Sequence, residues 1–358
     1  MRRWGRTTAC AAALTAVAAL AAGCSSSSSS TAVGGTALER TLPTDFGAAE
    51  KTTLNVGVVP AMDSAGFFIA LHDGLFSREG LTIKYSPATS SETAVAQQVA
   101  KNPTLDISGG NYVSYINEAA LDHQPIELVA EASIMQQGAQ TIFTMPTSNI
   151  KTLSELKGRM VGVNAPGNID YLLGVSVLQE NGVNPGSVKF PTTPIPFPQM
   201  GGMLASGQVS AAILPEPFAS QAEQQYGAVP LADLNQGATA DFPVEGYVVT
   251  KQWAQQNPNT LKRFLAALEI GQEIADTDRA AVEQAFEAIN GPQNGQVAAG
   301  IGAVMALDTY PIGIDKTRLQ RVSDVMYQFG LLHSRFDVSS MLMPSSSFNF
   351  NQFSSSGS

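Results

Sequence analysis

The chain has 358 residues, 30 acidic against 20 basic, for a formal charge of −10, and 14% of its residues are charged. That balance excludes nucleic acid as a partner, because phosphate binding needs clustered positive charge to displace counterions. The length allows two lobes with separate cores, and the only cysteines, Cys10 and Cys24, both stand in the first 24 residues, so the rest of the chain has no internal disulfide and no thiolate metal site.

Arg2, Arg3 and Arg6 precede an apolar run, 11–22, that ends at Gly23-Cys24. A membrane-spanning helix needs about 20 apolar residues, so residues 1–23 are read as a secretory signal and the chain as exported. Ala21-Ala22-Gly23-Cys24 resembles a bacterial lipobox, which implies acylation of Cys24 and a lipid anchor at the extracytoplasmic face of the cell membrane. The Ser-rich stretch that follows suits a tether over 24–51. Without the signal, 17 bases face 30 acids.

From Leu54 onward short strands alternate with helical spacing. Strands are expected at 54–59, 81–85, 105–107 and 126–132, with helices at 66–75, 93–100 and 112–121 between them. A second run follows, with strands at 140–145, 160–163, 188–190 and 211–214, and helices at 153–156, 169–180 and 200–206. Thr152 or Ser154 is placed to cap the first of these helices. After a strand at 246–250 the chain turns helical, with apolar stripes around 261–268, 297–307 and 319–329. Strands separated by helices imply βαβ units and an α/β fold. Residues 345–358, rich in Ser, Phe and Asn, read as a flexible tail.

Motifs for catalysis are missing from this pattern. His72, His123 and His333 sit on different elements without metal-ligand spacing. There is no nucleophile elbow and no phosphate loop, and Ser108-Gly109-Gly110-Asn111 lacks the dinucleotide fingerprint. No catalytic residue, metal or cofactor is therefore expected. What recurs instead is a polar Gly- or Pro-rich loop after the carboxyl end of a strand, where open parallel sheets bind ligands: 60–67, 108–112, 164–168 and 215–218.

Val56-Gly57-Val58-Val59-Pro60, Phe67-Phe68-Ile69-Ala70, Asp73-Gly74-Leu75-Phe76 and Glu79-Gly80-Leu81 resemble the opening of the NMT1/THI5-like solute-binding proteins, the SsuA/TauA group for nitrate, sulfonates, taurine and thiamine-pyrimidine precursors. The similarity continues through Leu105 to Gly110, Leu153 to Val163, Glu216-Pro217-Phe218 and Gly246 to Thr250, with Ser210 standing where the family has Asp. The resemblance implies a two-lobed periplasmic-binding-protein-like fold of type 2, each lobe a mostly parallel sheet flanked by helices. Lobe 1 would take 52–142 and 248–344 and lobe 2 would take 143–247, with hinge crossings near 140–145 and 245–250. It implies the solute receptor of an ABC importer, a monomer that closes on a small molecule and presents it to a membrane permease. First-lobe contacts carried over are Met62, Asp63, Ser64, Phe67, Asn111, Tyr112 and Gln137. Those of the second lobe are Asn164, Gly167, Asn168 and Tyr171, with Glu216 and Phe218 on the hinge side. Alternatives of another class are a sensing lipoprotein that reports to a signalling partner, and a thiamine-pyrimidine biosynthetic enzyme of the same fold. The enzyme uses a cysteine-rich segment that this chain lacks.

The four loops contain neither Arg nor Lys, the groups that pair with oxyanions through charge-assisted bonds. They contain Asp63 and Glu216, with Asp170 just beyond, so a neutral or cationic organic solute is favoured over nitrate. A sulfonate on the amides of 167–169 is the remaining option.

Overall fold

The computed structural model describes residues 46–291 and 300–343. The expected signal, Cys24, the tether as far as residue 45 and the tail lie outside them. In chain order the elements are β1 (Thr53–Val58), α1 (Ala65–His72), α2 (Leu75–Arg78), β2 (Thr82–Pro87), α3 (Ser91–Val99), β3 (Ile107–Asn111), α4 (Tyr112–Ala120), β4 (Ile126–Ile134) and β5 (Gln140–Thr144). There follow β6 (Val161–Gly162), α5 (Ile169–Glu180), α6 (Phe197–Ala205), β7 (Ala211–Pro215), α7 (Phe218–Tyr226), β8 (Val229–Asp233) and β9 (Pro243–Thr250). The described chain closes with α8 (Lys251–Gln256), α9 (Pro258–Thr277), α10 (Arg279–Asn290) and α11 (Lys316–Gln328).

Two sheets result, ordered β2-β1-β3-β9-β4 and β6-β7-β5-β8. In the first, β9 is antiparallel to both β3 and β4 while β1, β2 and β3 pair in parallel, so β9 alone runs against the others. In the second, β5 is antiparallel to both β7 and β8 and is the reversed strand. Each reversed strand is the one the chain enters directly after leaving the other lobe. The fold is thus α/β with two mixed sheets, mostly parallel in direction, each completed by one incoming strand.

The crossings lie just before the strands expected to make them, at 135–139 and 234–242, because 140–144 and 243–250 are taken up whole by sheet pairing. They run side by side: Met135 N donates to Phe242 O at 2.8 Å, and Leu234 N donates to Gln140 O at 3.0 Å. One apolar cluster extends through both lobes, joining Tyr115 and Leu128 of the first to Ile142, Leu172 and Ile213 of the second. A second fills the far side of the first sheet, where Phe67, Phe68, Phe76 and Phe264 interlock beneath α9. There α1 and α9 touch backbone to backbone, since a Cβ on Gly271 would stand 2.1 Å from the Gly66 carbonyl oxygen.

Three expectations change. Ser108 to Asn111 is strand β3 itself rather than a loop after it, because its glycines serve close packing: a Cβ on Gly110 would meet Ser91 Oγ at 2.3 Å, and one on Gly109 would meet the Tyr247 ring at 2.9 Å. Of the stripe at 297–307, the part within the described residues, 300–307, is turns and irregular chain, starting from Gly300 at φ +78°. The strand at 188–190 reduces to a single bridge, Met160 with Lys189. β8 was not read from the sequence; Pro230 within it fits an edge strand, which is where β8 lies.

Candidate functional site

The carboxyl ends of β1, β3, β6 and β7 face one another across the gap between the sheets. The reversed strands bring their amino ends, Gln140 on β5 and Val244-Glu245 on β9, to the same place. These segments enclose a cavity of about 20 Å3 lined from the first lobe by Ala61, Asp63, Ser91, Asn111 and Glu245, and from the second by Gln140, Asn164, Asn168, Asp170 and Phe197. That is room for about one water-sized group, so the lobes are closed on each other.

Side chains from both lobes hold the closure. Asn164 Nδ2 donates to Thr89 O at 3.1 Å and to Ile195 O at 3.1 Å. Asn117 Nδ2 donates to Gly167 O at 3.1 Å. On the hinge side Met62 N donates to Glu216 O at 2.9 Å, and Ala306 N donates to Glu216 Oε1 at 3.2 Å. The Glu216 carboxylate also accepts from Ser220 N and Oγ, at 3.1 and 2.8 Å.

Asn111 and Asn168 are the N-caps of α4 and α5. Asn111 Oδ1 accepts from Ser114 N at 2.8 Å, and Asn168 Oδ1 accepts from Tyr171 N at 3.2 Å. Both therefore spend one oxygen on a helix end that would otherwise carry orphan donors. The Asp170 carboxylate accepts from Asn164 N at 2.9 Å in the first turn of α5, where a negative charge already answers the helix dipole. An oxyanion on the amides of 167–169 would have to share that spot with a carboxylate.

Three acids, Asp63, Asp170 and Glu245, line the cavity beside four side-chain amides, and none of its lining residues is basic. Ser64 Oγ donates to Glu245 Oε2 at 2.9 Å, and Ser133 Oγ donates to Asp63 Oδ1 at 3.3 Å. The buried Asp308 side chain hydrogen-bonds Asp63, and Gln136 N donates to its Oδ1 at 3.3 Å. Burial raises the pKa of all four acids: Asp63; Asp308 and Glu245, where repulsion from Asp63 adds to it; and Asp170, which is pushed up to about 7. Two buried acceptors at the cavity, Asp170 Oδ1 and Gln140 Oε1, have no hydrogen-bond partner in the protein.

Of the residues expected from the sequence, Asp63, Asn111, Asn164 and Asn168 line the cavity. Met62 and Ser64 are buried beside it, the Met62 carbonyl accepting from Tyr310 Oη at 3.1 Å. Gly167, at φ +71°, contributes its carbonyl to the interlobe bond, and Glu216 ties the hinge side. Phe218 stacks on Phe197 at 5.3 Å and lines a neighbouring pocket. The others are elsewhere: Phe67 is in the first-lobe core against Phe76 and Tyr247, Tyr112 is buried in the apolar cluster, Gln137 is exposed on the first crossing, and Tyr171 packs edge-on against Phe190. The sequence reading did not assign Ser91, Gln140, Phe197, Glu245 or Asp308 to the site. Glu245 and Gln140 were detectable as polar residues opening apolar strands, had the amino ends of reversed strands been considered.

The NMT1-like family model matches residues 47–290. The nitrate/nitrite binding protein NrtA of Nostoc sp. (strain PCC 7120) is 25% identical over 249 residues, 63% of this chain, and the match spans 54% of NrtA's own length. A putative thiamine biosynthesis protein of Haemophilus influenzae is 24% identical over 300 residues, covering 80% of this chain and 89% of that protein. Among solved structures, the alkanesulfonate-binding protein SsuA of Xanthomonas axonopodis pv. citri superposes with a TM-score of 0.65 at 17% identity, over 83% of this chain and 99% of SsuA.

Proposed function

Since the chain belongs to the NMT1-like family, we propose that it is the solute-binding component of an ABC importer, closing its two lobes on a small organic molecule and presenting the closed form to a membrane permease. The observation that carries this reading is the enclosed polar cavity at the meeting of both sheets, reached by the two adjacent crossings. A solute touching both lobes favours the closed state because it makes both sets of contacts only there. The role is binding, with no reaction performed. The lobes are proposed to divide at the two crossings, into 52–134 with 243–343 and 140–233, in place of the expected 52–142 with 248–344 and 143–247, because β5 and β9 each lie whole in one sheet. The chain is proposed to act as a monomer, tethered by an acylated Cys24 to the extracytoplasmic face of the cell membrane.

The solute is read as neutral or cationic, because carboxyl groups and neutral amides line the cavity and a base does not. This departs from the anions that NrtA and SsuA are named for, nitrate or nitrite and alkanesulfonate. The test is thermal unfolding with a panel of amines, pyrimidines, nucleobases, nitrate and sulfonates, paired with small-angle scattering. A specific solute at a hundred times its Kd adds about 2.7 kcal/mol of stability and lowers the radius of gyration. A panel without any stabilising compound overturns the receptor reading. Cys24→Ala is expected to move the protein from the membrane to the soluble fraction, and retention in the membrane refutes the acyl anchor.

A further inference from the structure

The cavity does not stand alone. A second pocket of about 90 Å3 adjoins it, sharing Val59 and Phe197, and is walled by Pro60, Pro87, Pro196 and Phe218. Both pockets draw on both lobes, so both take their shape from closure. Their characters are opposite. The inner one presents carboxyl and amide oxygens; the outer one presents proline rings and the stacked Phe197 and Phe218, 5.3 Å apart and 18° from parallel.

We propose that the site takes an organic ammonium with a compact apolar body, its charge in the inner cavity against Asp63, Asp170 and Glu245 and its body in the outer pocket against Phe197 and Phe218. This rests on the receptor reading above and gives it a ligand class. Two acceptors at the inner cavity, Asp170 Oδ1 and Gln140 Oε1, are unpartnered, on side chains of residues that are 1% and 2% exposed. A buried acceptor left without a donor is costly, whereas an ammonium brings up to three donors and no acceptor. The inner volume fits one such head group, and the rest of the molecule must pass toward Val59 and Phe197. A metal ion is a poorer fit, because among the described residues no three His, Cys, Asp or Glu side chains are grouped to hold one.

Electrostatics supports the same assignment. Burial raises the pKa of Asp63, Asp170 and Glu245, and for Asp170 and Glu245 repulsion among these acids adds to it, so an arriving cation acts to lower all three. Asp170, pushed up to about 7, is part-protonated at neutral pH, so binding of the ammonium there releases protons from it to the buffer.

Three matched probes on the purified full chain test this by calorimetry: benzylamine, the neutral benzyl alcohol and the anionic phenylmethanesulfonate. The amine is expected to bind at least tenfold tighter than the alcohol. Its heat should vary with buffer ionisation enthalpy in the sense of proton release, and the sulfonate should not bind. Asp170→Asn and Glu245→Gln should each weaken the amine tenfold or more while leaving the alcohol within twofold, with cooperative melting confirming that both variants fold. Sulfonate binding, or alcohol binding as tight as the amine, overturns the ammonium assignment and leaves the receptor reading standing. Amine binding indifferent to both variants overturns the placement of the charge. Failure of all three probes, and of every compound in the wider panel, removes both readings together.

Discussion

Replacing Asp170 with asparagine should make the ligand-free protein more stable, and only in one pH range. The carboxyl is buried, its pKa is moved from the ordinary 3.8 to about 7 chiefly by desolvation, and repulsion from Asp63 and Glu92 adds to the shift. Between these two values the folded state holds a proton that the unfolded state has lost. Stability therefore falls as pH rises from about 4 to about 7, and is flat beyond. A pKa difference of about 3, at about 1.4 kcal/mol each, sets the loss at pH 8 at about 4 kcal/mol. Asparagine carries no charge to desolvate, and its Oδ1 can still accept from Asn164 N. Allowing for imperfect bonding of the new amide N–H groups, the expected gain at pH 8 is about 2–3 kcal/mol, which at about 2 °C per kcal/mol is a rise in Tm of about 4–6 °C. At pH 5 the gain should be less than half of that. Calorimetric melts of both proteins at the two pH values decide it. A lower Tm for Asp170→Asn at pH 8, or an equal gain at both, would show that the site does not hold a strained carboxyl.

Elsewhere the structure gives sharper losses. Glu131 is buried and accepts from Arg318 Nε at 3.1 Å and Nη2 at 3.2 Å, so Arg318→Ala should leave an unpaired buried carboxylate and cost about 3 kcal/mol in urea unfolding. Asn117→Ala removes the bond to the Gly167 carbonyl, worth about 1 kcal/mol to the closed form, and should weaken whichever ligand binds by about fivefold without lowering the melting temperature of the open protein. Gly271→Ala places a methyl 2.1 Å from the Gly66 carbonyl oxygen and should cost about 3 kcal/mol, as a lower urea midpoint at unchanged slope.

The α/β character, most elements and four of the cavity residues were legible in the sequence because they rest on local signals: alternation in Leu54-Asn55-Val56-Gly57-Val58, and asparagines standing just before helical runs at Asn111 and Asn168. What was not legible depends on long-range pairing. A rule that looks beyond the carboxyl ends of strands finds Asp63 and Asn164 and passes over Gln140 and Glu245, which reach the cavity only because β5 and β9 run against their sheets. The glycines of β3 look like a turn until the Tyr247 ring and Ser91 Oγ are seen lying where their side chains would be. Phe67 and Tyr112 follow loops with the right polarity, yet each points to the apolar side of its helix, a distinction that one aromatic residue beside a loop does not encode.

The same geometry determines what can drive closure. Among the bonds that join the lobes at the site, besides that of the Gln140 side chain to Asp63, are four from Met62 N, Ala306 N, Asn117 Nδ2 and Asn164 Nδ2. At about 1 kcal/mol net for each, they supply about 4 kcal/mol. The pKa displacement of Asp170 puts an upper bound of about the same size on what closing over it costs at pH 8. At neutral pH, then, the burial of acid works against the interlobe bonds, and the apolar contact of Phe197 with Phe218 lies within one lobe and adds nothing to the balance. A cation changes the largest unfavourable component of that sum, whereas a neutral solute changes only the smaller ones and an anion makes it worse. Selectivity in such a site comes from the cost of closing on the wrong charge, and the absence of a basic side chain from the lining is as much a part of the recognition as the carboxylates themselves.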